Sequence, residues 1–71
     1  MKKKLNIAQF GVGYWGPNLV RNLIANDRCK LTKVCEISKD RREFIKNLYP
    51  SLYTTKNIDE ILNDSNIDAV I

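Results

Sequence analysis

The chain of 71 residues contains no histidine. A histidine-dependent metal centre or a nucleophile–histidine pair therefore cannot be assembled from these residues alone. Cysteine is almost as scarce, at two residues. Cys29 and Cys35 flank one predicted strand, and at ~3.3 Å per residue their Cα atoms stand roughly 20 Å apart, beyond disulfide reach. Two free thiols suit a reducing compartment, and two separated cysteines make no zinc site, so no metal is expected. Long apolar runs are missing as well. No stretch approaches the ~18 residues of a membrane span, and no signal-peptide core follows Met1 to Lys4. The expectation is a soluble, cytoplasmic chain that meets no membrane. So short a domain buries little more than ~60% of its unfolded surface, without disulfide or metal support. An apolar content of 44% still argues for folding over disorder.

Charge of one sign is not concentrated anywhere. The net charge of +4 arises from twelve basic residues scattered among eight acids. No stacking aromatics alternate with them, so nucleic acid is not an expected partner. Lys2, Lys3 and Lys4 precede the first strand and belong at the sheet end opposite any ligand of the loop that follows it. The basic residues after position 38 read as the solvated face of a helix.

Glycine is rare but not scattered. All three glycines fall within Gly11-Val12-Gly13-Tyr14-Trp15-Gly16. They follow the apolar run Leu5 to Phe10, interrupted by Asn6 and Gln9, which predicts a strand buried on both faces. A helix begins at Pro17, tolerated at a first helical position because its missing N–H would be an orphan. Leu19, Val20, Leu23 and Ile24 give that helix an apolar stripe, and Asn26-Asp27 ends it. Leu31 to Cys35 is the second strand, in which Lys33 fits only near a sheet margin. Glu36 stands at its tip, twenty residues after Gly16.

Ser38 is the expected N-cap of a second helix with Phe44, Ile45 and Leu48 inward, ended before Pro50. Leu52 to Thr55 predicts a third strand. Asn57 and Glu60 stand in capping-box spacing before Ile58, Ile61 and Leu62, which face inward. A turn at Asp64 to Asn66 leads to a fourth strand from Ala69. The alternation is β-α-β-α-β-α-β, without repeat or linker. It predicts an α/β fold, a partial Rossmann, doubly wound parallel sheet in the order 3-2-1-4.

Strand, glycine turn, helix and distal carboxylate are the parts of a dinucleotide-binding unit. Gly11 suits the tight turn, Gly13 lets backbone approach a pyrophosphate, and Gly16 lets helix pack close to strand. Tyr14 and Trp15 would offer backbone N–H groups to the anion, although a tryptophan beside such a turn can equally pack beneath it. Glu36 would accept from the adenosine ribose hydroxyls, favouring NAD, while Lys39, Arg41 and Arg42 leave room for NADP. The same parts also suit a non-enzymatic Rossmann module, such as an NAD-sensing regulator or ligand-binding domain. FAD and S-adenosylmethionine variants remain open too.

Gly11 to Gly16 with Tyr14-Trp15, followed by Pro17-Asn18-Leu19-Val20-Arg21-Asn22, resembles the glucose-fructose oxidoreductase / inositol dehydrogenase / rhizopine-catabolism family. Ile58 to Leu62 and Ile67 to Ile71 resemble that family's third helix and fourth strand. The Tyr14-Trp15-Gly16-Pro17 version is most similar to dehydrogenases of nucleotide sugars. The resemblance implies an NAD(P)-dependent oxidoreductase, acting on a sugar or nucleotide sugar held by a second, mostly β-sheet domain. The family's glutamate-lysine-proline motif and its later aspartate and histidine lie beyond Ile71. Residues 1–71 are thus expected to be the N-terminal part of the dinucleotide-binding domain, without the substrate domain and without catalytic residues. Such a piece is expected to be inactive alone and to associate as a homo-oligomer.

Overall fold

The structure is a computed structural model and describes residues 4–13 and 16–71. Strand β1 (Leu5–Phe10) is followed by helix α1 (Gly16–Ala25) and strand β2 (Cys29–Cys35). Helix α2 (Lys39–Leu48), strand β3 (Tyr53–Thr55), the single turn α3 (Asp59–Leu62) and strand β4 (Ala69–Val70) complete the chain. All strand pairs are parallel, in the order β3-β2-β1-β4. This is the predicted half of a doubly wound sheet. The boundaries differ slightly: α1 includes Gly16 before Pro17, β2 starts two residues early, and β3 omits Leu52.

Two apolar layers flank the sheet. Ile7, Val12, Val20, Leu31, Val34, Ile45 and Leu52 form the larger one beneath α1 and α2. Ala8, Cys35 and Ile61 form the smaller one beneath α3, with Phe10 and Ile67 against them. β1 supplies Ile7 to one layer and Ala8 to the other, as a strand covered on both faces must.

The helical stripes are narrower than expected. In α1 only Val20 is fully buried, with Leu23 against the core, while Leu19 and Ile24 are exposed on its flanks. In α2 only Ile45 is buried, and Phe44 and Leu48 are exposed. In α3 Ile61 alone is buried, with Ile58 and Leu62 outside. Each helix seats one line of side chains on a narrow sheet, so the neighbouring rows of the stripe reach past its contact.

Lys33 is not at a margin: it sits in β2, between β1 and β3. The reason is a bulge. Ile7 pairs with Leu31 and Ala8 with Lys33, so Thr32 is the extra residue, and its hydroxyl donates to the Ile7 carbonyl at 3.2 Å. After the bulge the alternation reverses. Leu31 and Val34 share one layer, while Lys33 turns to the α3 side and Cys35 joins the smaller layer. There Lys33 Nζ meets Asp64 at 2.9 Å and the Glu60 carbonyl at 3.1 Å.

Ser38 caps α2 as expected, accepting from Arg41 N–H at 3.3 Å. The capping box at α3 does not form. Asn57 Oδ1 does accept from Asp59 N–H at 3.0 Å, but Asn57 N–H donates to Thr55 Oγ1. The Glu60 carboxylate, which should have returned to Asn57, instead accepts from the hydroxyls of Tyr53 and Thr55. The end of β3 offers two hydroxyl donors nearer than the cap, and they take the carboxylate. Cys29 and Cys35 are both free thiols. Burial, followed by the nearby charges of Glu36 and Glu60, raises the Cys35 pKa above that of an ordinary thiol.

Candidate functional site

The carboxyl ends of β1 and β2 lie side by side: Gly11 N–H donates to the Cys35 carbonyl at 2.7 Å. Two residues of sequence chemistry therefore meet there, the start of the glycine turn and Glu36. Gly11 has φ +86°, a left-handed conformation that a side chain rarely adopts, and it turns the chain sharply out of the sheet. Gly16 opens α1 against the turn, where an added Cβ would stand 3.1 Å from Val12 Cγ1. The close approach is thus of helix to turn, with Val12 buried in the core beneath. At Gly13 an added Cβ would meet no atom of the described residues within 4 Å, so its outer side is open. Tyr14 and Trp15, expected to offer backbone N–H groups, lie outside the described residues.

The carboxylate of Glu36 reaches into the turn. Oε1 accepts from Val12 N–H at 2.6 Å and Oε2 from Ser38 N–H at 2.8 Å. A carboxylate has about four acceptor sites, so roughly half of its capacity stays available. Glu36 also lines a cleft of about 380 Å³ with Phe10, Gly11, Cys35, Ile37, Lys56 and Ile58. A second cleft of about 500 Å³ lies across the turn, bordered by Gln9, Gly11, Gly13, Gly16 and Asn18. The turn is the ridge between the two. A third cavity, about 650 Å³, lies at the other end of the sheet, between Lys4, Cys29, Tyr49 and Leu52, away from all of these groups.

Three residues hold the site in place: Arg41 and Arg42, expected from sequence only as room for NADP or as solvated helix face, and Gln9, which sequence reasoning did not assign to it. Arg41 donates from Nε and Nη2 to the Val12 carbonyl at 3.1 and 3.0 Å, and from Nη2 to the Gly13 carbonyl at 2.9 Å. Arg42 Nη1 donates to the carbonyls of Glu36 and Ile37, both at 2.7 Å. The expected solvated face of α2 is therefore corrected at both positions; Lys39 fits it, 3.8 Å from Glu43 in an exposed pair, and Lys46 is exposed too, with Nζ donating to the Leu52 carbonyl at 2.8 Å. Gln9 is 1% exposed and donates from Nε2 to the Gly11 carbonyl at 3.0 Å, bracing the turn from beneath. Its Oε1 is buried without a partner among the described residues. A polar residue inside an apolar strand, two positions before the turn, was the available signal.

A strand, a positive-φ glycine, a helix start and a carboxylate at the next strand tip meet at the carboxyl edge of a parallel sheet. The helix start offers a positive dipole end to an anion, its first N–H, that of Gly16, being held by the Gly13 carbonyl at 3.1 Å and Pro17 having none, and the carboxylate offers acceptors to hydroxyls. Residues 5–71 match the model of an oxidoreductase family with an NAD-binding Rossmann fold, that of glucose-fructose oxidoreductase, inositol dehydrogenase and the rhizopine-catabolism protein. The chain belongs to that family.

Several solved structures superpose on it closely. The chain is similar to myo-inositol 2-dehydrogenase from Lactobacillus plantarum, with 30% identity and a TM-score of 0.80 over 96% of this chain and 20% of that one. An NAD-binding protein from Listeria innocua gives 26% identity and a TM-score of 0.82, again over 96% and 20%. GenD2 of gentamicin A biosynthesis, solved in complex with NAD, gives 24% identity and a TM-score of 0.82 over 96% and 19%, a likeness that speaks for the fold. The chain thus spans about a fifth of the length of the solved structures it matches. No curated protein matches it in sequence. Among the described residues no helix is long and apolar enough to cross a membrane.

Proposed function

We propose that these residues bind the adenosine and pyrophosphate half of NAD within a dehydrogenase of sugars, polyols or nucleotide sugars. The open outer side of Gly13 is the observation that carries this reading, since it leaves backbone free to approach a phosphate in a place that a side chain would fill. Gly11 and Gly16 set the turn and the helix start beside it, and the backbone of Tyr14 and Trp15 completes the anion site. The free acceptor positions of Glu36 take the ribose hydroxyls, and its charge disfavours a 2′-phosphate. NAD is accordingly preferred over NADP.

When bound, NAD would supply the hydride acceptor for a carbinol carbon of the substrate. This chain binds and orients the dinucleotide. The hydroxyl proton goes to a base outside these residues, and the substrate is held by a further domain, so the 71 residues alone are inactive. The family background and the dehydrogenase name of the Lactobacillus plantarum relative support the enzyme over a regulatory module. We place the working protein in the cytoplasm as a homo-oligomer. Titration of the chain with NAD and NADP tests the cofactor part of this reading. The result expected is tighter binding of NAD by about tenfold, from charge repulsion at Glu36; equal affinities contradict it.

A further inference from the structure

The backbone of Val12 is gripped at both ends by side chains from the far side of the turn. Its N–H goes to Glu36 Oε1, and its carbonyl receives Arg41 Nε and Nη2. The Gly13 carbonyl receives Arg41 Nη2 as well. In a trans peptide the carbonyl and the following N–H point in opposite directions, and no peptide among the described residues is cis. Drawing the Val12 carbonyl toward α2 therefore turns the Gly13 N–H away from α2, toward the open side of the turn. Among the described residues that N–H has no acceptor.

The same contacts occupy Arg41. Its bidentate edge, Nε with Nη2, is spent on two carbonyls, and its guanidinium lies 5.3 Å from the Phe44 ring centroid. An arginine recognises a phosphate best through that edge. We propose that Arg41 is a positioning residue, which sets the glycine turn for the pyrophosphate, and that it is not a ligand for a 2′-phosphate. This inference rests on the reading of the turn as a dinucleotide site. It runs against the expectation from sequence that Arg41 helps to admit NADP.

The test compares NAD and NADP titrations of the wild-type chain, Arg41→Met, Glu36→Ser and the double variant, followed by calorimetry. Loss of charge-assisted hydrogen bonds that orient the turn is expected to weaken both dinucleotides by the same factor, about tenfold. That factor is expected in both backgrounds, so the ratio of the two Kd values stays fixed when Arg41 is replaced. A selective loss of NADP in the double variant, relative to Glu36→Ser, would overturn the proposal by making Arg41 a phosphate ligand. Unchanged affinity in Arg41→Met would overturn it by making the grip dispensable. Wild-type chain that binds neither dinucleotide would instead remove the underlying reading. If Arg41→Met does not fold, Arg41→Lys replaces it. Its single ammonium cannot reproduce the two-carbonyl fork, so both dinucleotides again weaken equally, whereas NAD weakening with NADP retained overturns the proposal.

Discussion

Gly16 packs on Val12 so closely that a Cβ there would stand 3.1 Å from Cγ1 and 3.2 Å from Cβ of the valine. Val12 is fully buried and cannot swing outward to make room. Gly16→Ala is therefore expected to destabilise the chain by ~1–2 kcal/mol through overpacking, read as a lower urea midpoint. Val12→Ala costs stability by itself, but the double variant should lose less than the sum of the two. An additive result would mean that the pair does not touch in solution.

The Lys33, Glu60 and Asp64 cluster makes a pH-dependent contribution. The Lys33 hydrogen bond, followed by Asn66 N–H, holds the Asp64 carboxyl below its ordinary range. The Tyr53 and Thr55 hydroxyls do the same for Glu60. Both groups are more acidic folded than unfolded. Their stabilisation is thus complete above the unfolded values of about 4 to 4.5 and is lost as pH falls through the lower folded values. Urea midpoints of wild type and Asp64→Asn should differ at pH 7 and converge as pH falls below the unfolded value of about 4 and through the lower folded one. A difference that is constant across that range would contradict the assignment.

Glu36→Ser removes the charge proposed to disfavour a 2′-phosphate together with the acceptor of Val12 N–H. The preference for NAD over NADP is expected to fall about tenfold, with NAD itself bound more weakly. Relative affinities from parallel titrations check this, and an unchanged ratio would count against Glu36 as the ribose ligand.

Strand β4 pairs with β1 along one edge, while Ala69, Val70 and Ile71 are exposed. An unpaired apolar edge pairs readily with another chain. At micromolar concentration the 71-residue chain should sediment as a dimer or larger species, and Val70→Lys should shift it toward monomer. A wild-type monomer with a sharp, concentration-independent melting transition would contradict this.

Much of the fold was legible because its signals are local. The both-sided apolar run Leu5–Phe10, the Ser38 cap and the spacing from Gly16 to Glu36 each depend on neighbours in sequence, and strand order followed from alternation and handedness. The bulge at Thr32 was not legible: one extra residue leaves no local trace, yet it reverses the faces of Lys33, Val34 and Cys35. Arg41 and Arg42 were read as solvated for a similar reason. Periodicity tells which helix face a residue occupies, but not that a long side chain will fold back onto carbonyls up to 29 positions earlier. Glu60 was assigned to the cap by spacing and lost to hydroxyls of β3, a competition visible only in three dimensions.

The central claim, that the glycine turn receives the pyrophosphate of NAD, is tested most directly at Gly13. Apart from its chain neighbours, no atom of the described residues lies within 4 Å of a Cβ built there, so a side chain at this position starts into open space. The measurement is calorimetric titration of wild type and Gly13→Val with NAD, beside their thermal unfolding. The account predicts similar melting temperatures and complete loss of NAD binding in the variant, because the valine occupies the place of the phosphate. Equal NAD affinity in the two proteins would contradict it.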